Sequence, residues 1–271
     1  MTEQTQILLT NDDGIRSPGL WAAAEALQGL GYVTVVAPRD QWSGAGRSLP
    51  SNMSGRIHLE TICVDGKEWQ AYAIEGTPAQ AVQHAILEVL PRPPDLVVAG
   101  INYGENVGSG VTISGTVGAA LEGACFGLPA LAVSLETEVH FNLSYSTAVD
   151  FSAARSFTEK FARLLLGWQR PVDVDVLKVD VPQGATPATP WRLTRVSRQR
   201  YYVPSKPKRQ ALSVAGQVGY QRYADPALVE ADSDVKALLD HCVSVTPLSQ
   251  DVTSRVPFGE FRQLLARQLQ G

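Results

Sequence analysis

The sequence predicts an α/β protein with a doubly wound, mostly parallel sheet, followed by a β-rich excursion. Three observations support this prediction. Short apolar runs typical of buried parallel strands alternate with amphipathic segments in the first half of the chain. Ser17-Pro18 and Thr77-Pro78 mark helix starts, because in each pair a capping hydroxyl precedes a proline. The alternation breaks near residue 183, where Pro, Gly, Arg and Tyr become frequent.

Each element of the first half has its own signal. Apolar runs predict strands at 7–9, 32–37, 96–99 and 131–134. A weaker β region is predicted over 57–74. Helical spacing of apolar residues predicts helices after Ser17, Thr77 and Ser114, and the first of these ends near Gly29 or Gly31. A polar loop over 41–48 follows the second strand, and a glycine-rich loop over 100–113 follows the strand at 96–99. Strands and helices that alternate in this way form right-handed βαβ units.

The second half is predicted as an excursion from the sheet and a return to it. Its expected elements are a helix over 147–166, a strand at 174–177, short β runs at 191–196 and 211–214, a strand at 242–245 and a closing amphipathic helix. We expect one domain over 1–271. Its parts are a core over 1–182, a β-rich arm over 183–235, and a return strand with a C-terminal helix over 236–271.

Composition excludes several classes of protein. The 271 residues are 44% apolar and 18% charged, which is typical of a globular chain, and the formal net charge of −4 gives no reason to expect a nucleic-acid partner. Cys63, Cys125 and Cys242 are too few and too far apart for a disulfide framework or a zinc cluster. No apolar run is long enough to span a membrane, and the N-terminus lacks a signal-peptide pattern, so we expect a cytoplasmic protein.

The most informative motif is the acid pair Asp12-Asp13, which lies between Asn11 and Gly14 directly after the first strand. Carboxyl ends of strands in open α/β sheets converge on the ligand crevice. Two adjacent carboxylates repel each other there unless a cation or a shared proton relieves them. A hard divalent cation suits this position, and the alternative reading is an ordinary polar turn.

Later strand ends also finish in oxygen-bearing residues, and these can meet the acid pair in one crevice. The loop over 41–48 holds Ser43 and Ser48, and the loop over 100–113 holds Asn102 and Asn106. Carboxylate, hydroxyl and amide oxygens suit Mg²⁺, Mn²⁺ or Ca²⁺. The next helix begins at Ser114-Gly115-Thr116, whose free N–H groups and two hydroxyls predict a phosphate cradle, although a serine at such a position is more often only a helix cap. A metal beside an anion site indicates phosphoryl chemistry.

In this order the motifs resemble the SurE family of survival-protein-E nucleotidases. The resemblance spans almost the whole chain and rests on six segments: 7–15, 36–48, 76–79, 100–108, 114–123 and 243–251. It implies a Rossmann-like core with a β arm used in oligomerisation, and a homodimer or homotetramer. It also implies one divalent metal ion per subunit, Mg²⁺ or Mn²⁺. The implied metal ligands are Asp12, Asp13, Ser43 and Asn102, and the implied phosphate-binding residues are Asn106, Ser114, Gly115 and Thr116.

The chain departs from the family pattern at several positions. Ser109-Gly110 replaces the usual acidic character after Asn106, and Ile113 replaces an aromatic residue or histidine. In the family, a strand that precedes a proline carries an asparagine. The matching segment here, 177–182, carries Lys178 and Asp180 instead. Gln80-Ala81 replaces the usual Asp-Cys. None of these changes touches the four metal positions, so we expect hydrolysis to be retained and the outer pocket to differ.

The resulting hypothesis is a metal-dependent phosphomonoesterase that hydrolyses nucleoside 5′- and 3′-monophosphates, with short polyphosphate as a further substrate. The expected catalytic residues are Asp12 and Asp13, and the sequence leaves open which of them assists in deprotonating the attacking water. Two alternatives remain: a phosphatase that uses Asp12 as a covalent nucleophile, and a non-catalytic nucleotide-binding protein on the same fold. We expect neither a nucleic-acid nor a membrane partner.

Overall fold

The fold is a nine-stranded, mostly parallel sheet with helices on both faces. The computed structural model describes residues 4–138, 141, 146 and 148–269. The strands are β1 (Gln6–Thr10), β2 (Tyr32–Pro38), β3 (Ile57–Val64), β4 (Lys67–Ile74), β5 (Leu96–Tyr103), β6 (Ala130–Leu135), β7 (Val176–Val181), β8 (Trp191–Leu193), β9 (Tyr202–Ser205), β10 (Gly219–Arg222) and β11 (Val243–Leu248). The helices are α1 (Pro18–Leu27), α2 (Pro78–His84), α3 (Gly115–Cys125), α4 (Ser152–Gly167), α5 (Asp234–Leu239) and α6 (Phe258–Leu269).

The strand order confirms the predicted α/β class. The large sheet runs β3-β4-β2-β1-β5-β6-β7-β11-β8, and β9 pairs with β10 in a separate hairpin. Only the β3–β4 and β7–β11 pairs of the large sheet are antiparallel. The order reverses at β1, where β2 lies on one side and β5 on the other. Ligand sites of open α/β sheets lie at such a switch point, and the acid pair follows β1 directly.

The core has two layers, one on each face of the sheet. One apolar cluster packs α1 and α4 against the sheet and includes Ile7, Leu9 and Phe157. The other packs α2 and α3 against the opposite face and includes Leu8 and Val117. Successive residues of β1 point into different clusters because side chains of a strand alternate between faces. Both faces are therefore covered, which accounts for the continuous apolar runs of the central strands.

Several element boundaries differ from the expectation. The weak β region over 57–74 is a hairpin, β3 and β4, which turns at Asp65-Gly66, where both residues have positive φ. β5 continues to Tyr103, and the rest of the expected glycine-rich loop includes a 3₁₀ helix at Gly108–Ile113. The helix expected over 147–166 is α4, which begins only at Ser152; Asp150 accepts a hydrogen bond from its N–H, and residue 147 lies outside the described residues.

The second half shows the larger corrections. The strand expected at 174–177 is β7, shifted to Val176–Val181, because its charged residues are buried as an ion pair and continue the strand. The predicted arm over 183–235 is only partly an arm, since β8 joins the large sheet beside β11. Residues 211–214 form a turn and not a strand, and the hairpin strands are β9 and β10. Helix α5 was not predicted.

The closing helix was predicted correctly but lies open to solvent. All twelve residues of α6 are exposed, including Phe258 and Phe261. Among the described residues, no helix is both long and apolar enough to cross a membrane.

Candidate functional site

The candidate site is a small cavity at the carboxyl ends of β1 and β5. It has a volume of about 160 Å³, and six of the eight predicted site residues line it: Asp12, Asp13, Ser43, Asn102, Asn106 and Ser114. Larger surface grooves exist, such as one of about 930 Å³ between α1 and β3, but that groove does not contain the acid pair. The sheet therefore brings together residues that are up to about a hundred positions apart in the chain.

Asp12 is held against the N-terminus of α3. Its Oδ1 accepts a hydrogen bond of 2.5 Å from the hydroxyl of Thr116, and the backbone N–H groups of Gly115 and Thr116 also bond to the carboxylate. Burial raises the pKa of Asp12 to about 6, and these hydrogen bonds oppose the rise. A Cβ on Gly115 would lie 2.6 Å from the Cβ of Asp12, so only glycine allows the carboxylate this close to the helix.

Asp13 is buried beside it and is the more perturbed of the two acids. Its Oδ2 accepts the backbone N–H of Tyr103 at 3.0 Å, and its Oδ1 accepts a hydrogen bond of 3.1 Å from the Gln41 amide. Burial and the adjacent charge of Asp12 raise the pKa of Asp13 to about 8. Two carboxylates 94 to 96% buried in one cavity carry an electrostatic cost that a bound cation would remove.

The remaining donors fit a hard divalent cation. The amide nitrogen of Asn102 donates to the carbonyls of Tyr103 and Gly104 at 3.1 and 2.7 Å, which leaves its oxygen for a ligand. Ser43 adds a hydroxyl from the loop after β2. Two carboxylates, an amide and a hydroxyl form an all-oxygen set of the kind Mg²⁺ and Mn²⁺ prefer. In the described part of the chain, no group of three or more His, Cys, Asp and Glu side chains offers a competing metal site.

Asn106 and Ser114 lie on the cavity wall with hydrogen-bonding capacity to spare. The Asn106 amide donates one hydrogen bond, of 2.8 Å, to the hydroxyl of Ser134, and its second amide hydrogen has no role in that bond. The Ser114 hydroxyl accepts the N–H of Val117 and caps α3, so its own hydrogen is free to be donated elsewhere. Both predicted residues are therefore placed to donate to an anion in the cavity.

Gly115 and Thr116 are placed differently from the expectation. Neither lines the cavity, and the fully buried Thr116 hydroxyl is bound to Asp12. The reason is that the carboxylate of Asp12 already occupies the anion-attracting N-terminus of α3. Of the predicted Ser114-Gly115-Thr116 cradle, only Ser114 faces the cavity, and the other two residues orient Asp12.

Three groups of residues around the cavity were not predicted from the sequence. Glu105 is buried beside Asn106, and Tyr202 enters the cavity lining from the hairpin. Behind the wall, the backbone N–H of Asn106 donates a hydrogen bond of 2.7 Å to Oδ1 of Asp180. Asp180 is paired with the fully buried Lys178. The ionic residues inside β7 were the available signal, because charges within a buried strand require partners.

Comparison with known proteins identifies the family. Residues 7–203 match the family model described as "Survival protein SurE". This chain belongs to the SurE family. The SurE-family protein named "5'-nucleotidase SurE" from Thermococcus kodakarensis is 39% identical over 97% of this chain and 99% of its own length. The protein of that name from Thermococcus gammatolerans is 40% identical, with 96% of each chain covered.

A solved SurE structure agrees with the fold. The crystal structure of the SurE protein from Aquifex aeolicus superposes with a TM-score of 0.75 and 31% sequence identity. The match covers 96% of this chain and 99% of that one. The predicted fold class and the family resemblance are both confirmed, and the agreement extends beyond the central sheet to nearly the full length of the SurE fold.

Proposed function

We propose that this protein is a divalent-metal-dependent phosphomonoesterase that hydrolyses nucleoside monophosphates to nucleoside and phosphate. The observation that carries the proposal is the pair of buried carboxylates, Asp12 and Asp13, in a cavity whose other walls carry hydrogen-bond donors. The family relatives named as 5′-nucleotidases support the same substrate class.

One cation per subunit would be held by Asp12, Asp13, Ser43 and Asn102. When bound, Mg²⁺ or Mn²⁺ would supply positive charge beside the phosphoryl group and make a neighbouring water more acidic. The fit rests on the all-oxygen donor set and on the raised pKa of both carboxyl groups. Thr116 and the first N–H groups of α3 would keep Asp12 fixed while the ligand exchanges.

In the proposed reaction, Asn106 and Ser114 donate hydrogen bonds to the phosphoryl oxygens as negative charge grows on them. A water oxygen bonds to phosphorus, the ester P–O bond breaks, and the leaving nucleoside oxygen takes up a proton from solvent water. The proton of the attacking water passes to a carboxylate of the acid pair. Separate Asp12→Asn and Asp13→Asn variants would identify the acceptor.

The geometry disfavours covalent attack by Asp12. Its carboxylate accepts hydrogen bonds from Thr116 and from the backbone at the start of α3, and these hold it as a fixed ligand. A nucleophilic carboxylate needs an oxygen that can approach phosphorus in line. An acid-quench experiment that traps no aspartyl-phosphate during turnover would agree with direct attack by water.

The decisive experiment is phosphate release from 5′-AMP, 3′-AMP, 5′-GMP and a short polyphosphate, with Mn²⁺ or Mg²⁺ and with EDTA. We expect metal-dependent release from nucleoside monophosphates, abolished in Asp12→Asn. The panel also tests the 3′-nucleotidase and polyphosphatase activities expected from the sequence. Tight nucleotide binding without release would instead support the non-catalytic alternative and would direct attention to Ser109, Gly110 and Ile113.

We also propose that the hairpin of β9 and β10 takes part in a homodimer or homotetramer. The excursion between its strands exposes Leu212 and Val214, and a two-stranded hairpin is marginally stable alone. Burial of these residues against a second copy would remove that exposed apolar surface. Sedimentation analysis should find a dimer or tetramer, and a monomer would refute this. The cytoplasmic location stays a prediction.

A further inference from the structure

The base of the β9–β10 hairpin is bound to the wall of the candidate site. Tyr202 and Arg222 lie directly opposite each other in the antiparallel pair, and both reach Glu105. A small apolar cluster supports this junction, because Tyr201 packs with Val107 on the loop that follows Asn106. The base of the hairpin therefore forms part of the wall of the site.

Glu105 is the fixed point of this contact. Its side chain is fully buried, and its Oε1 accepts a hydrogen bond of 2.7 Å from the Tyr202 hydroxyl. Nε of Arg222 lies 2.7 Å from Oε1 of Glu105, and Nη2 of Arg222 donates a hydrogen bond of 2.8 Å to Oε2. Only the Nη2 contact is a hydrogen bond, since Nε makes none among the described residues, so Arg222 holds Glu105 by one charge-assisted hydrogen bond and a close ionic contact. The hydrogen bond from Tyr202 therefore has a rigid acceptor.

These contacts determine which part of Tyr202 a ligand can touch. The hydroxyl is engaged with Glu105, so the ring is the part that remains available at the cavity. Residue 110 is glycine, and a Cβ there would lie 3.9 Å from Cδ2 of the ring, in van der Waals contact, so the absence of a side chain at this position leaves that edge of the ring uncovered. Ile113, 55% exposed, adds a second apolar side chain to the same lining.

The dimensions of the cavity separate the two parts of a nucleotide. A volume of about 160 Å³ is below the roughly 300 Å³ at which small-molecule pockets begin, so it holds a phosphate but not a whole nucleoside monophosphate. With the phosphate beside the acid pair, the nucleoside must lie at the rim. Aromatic rings at such a position stack on nucleobases without regard to base identity.

We propose that Tyr202 is a specificity-determining residue whose ring contacts the base of the substrate, and that Glu105 and Arg222 are positioning residues that hold this ring. The proposal rests on the proposed function and deepens it, because it separates recognition of the base by the hairpin from recognition of the phosphate by the core. It predicts broad acceptance of different bases and poor binding of phosphate esters that lack a base.

The test compares 5′-AMP with ribose 5-phosphate, which has the same phosphate and sugar but no base. Binding of each is measured calorimetrically in EDTA, where no turnover is expected, and phosphate release with Mn²⁺ is measured in parallel. Tyr202→Ala should weaken 5′-AMP binding about tenfold, the effect of losing one stacking contact, and should change ribose 5-phosphate binding less than about twofold. Tyr202→Leu, which keeps apolar bulk, should show the same pattern and covers the case in which alanine impairs folding.

Tyr220→Ala is the matched control, because Tyr220 lies on the same hairpin but is 60% exposed and is absent from the cavity lining. It should leave both ligands unaffected. Equal weakening of both ligands in the Tyr202 variants, or no weakening of either, would overturn the inference. Failure of the unmodified protein to release phosphate would refute the proposed function alone, since the binding measurements still test the role of Tyr202.

Discussion

Replacement of Lys178 with methionine should destabilise the protein strongly, although the two side chains are similar in length. Lys178, Asp180 and Asp234 are fully buried; the Lys178 ammonium contacts Asp180 and lies 3.2 Å from Oδ2 of Asp234. Removal of the ammonium leaves two carboxylates in the protein interior without their cation. The loss of one partner from a buried ion pair costs about 3–5 kcal/mol of unfolding free energy.

That free-energy loss corresponds to a fall of about 6–20 °C in the unfolding temperature for a chain of this size, at about 2–4 °C per kcal/mol. The matched control is Lys236→Met. Lys236 also pairs with an aspartate, Asp240, but both side chains are partly exposed, and surface pairs contribute little. Urea and thermal unfolding at one fixed protein concentration would measure both variants, which removes any effect of assembly on the comparison.

The pH dependence provides a second check. Burial lowers the pKa of Lys178, but the charges of Asp180 and Asp234 outweigh it and the net shift is upward. The stabilisation by Lys178 is therefore complete below the pKa of a free lysine and is lost only at higher, alkaline pH. In Lys178→Met the buried carboxyls can take up a proton at low pH, so the loss of stability should be smaller at pH 5 than at pH 8.

A rescue variant tests the mechanism. The addition of Asp180→Asn to Lys178→Met removes one uncompensated charge and keeps an oxygen for the N–H of Asn106. We expect it to recover about 0.5–3 kcal/mol of the loss, the range found for coupled neighbours. Equal destabilisation by Lys178→Met and Lys236→Met, or a loss that grows at low pH, would refute the electrostatic reasoning.

Three further predictions concern the acid pair. Gly115→Ala should displace Asp12 and reduce metal-dependent phosphate release about 100-fold, whereas Gly29→Ala, where a Cβ meets nothing within 4 Å, should not reduce it. Because the pKa of Asp13 is about 8, Mn²⁺ binding at pH 7 should release about one proton and should weaken as pH falls; pH-stat titration should show this release lost in Asp13→Asn. Thr116→Val removes a hydrogen bond to Asp12, so the pKa of Asp12 should rise. Mn²⁺ affinity should then fall about tenfold at pH 6 and less at pH 8. The same fold-loss of affinity at both pH values would contradict this role of Thr116.

Local patterns in the sequence were sufficient for the elements of the core. The caps at Ser17 and Thr77 and the apolar runs of β1 and β5 depend on neighbouring residues, so they can be read without a fold. The same holds for the acid pair, because two carboxylates after a strand are adjacent in the chain itself. The hairpin strands were misplaced because their apolar residues follow no clear period and their pairing is not local.

By itself, the sequence determined the fold class, the family resemblance and six residues that line the cavity. Only the tertiary structure decided how those residues are supported. Thr116 reaches Asp12 across 104 positions, and Tyr202 reaches Glu105 across 97. Such pairs leave no local pattern, because burial and charge compensation depend on which distant groups the fold brings together. For the same reason the sequence placed Gly115 and Thr116 on a phosphate, whereas the structure places them on Asp12.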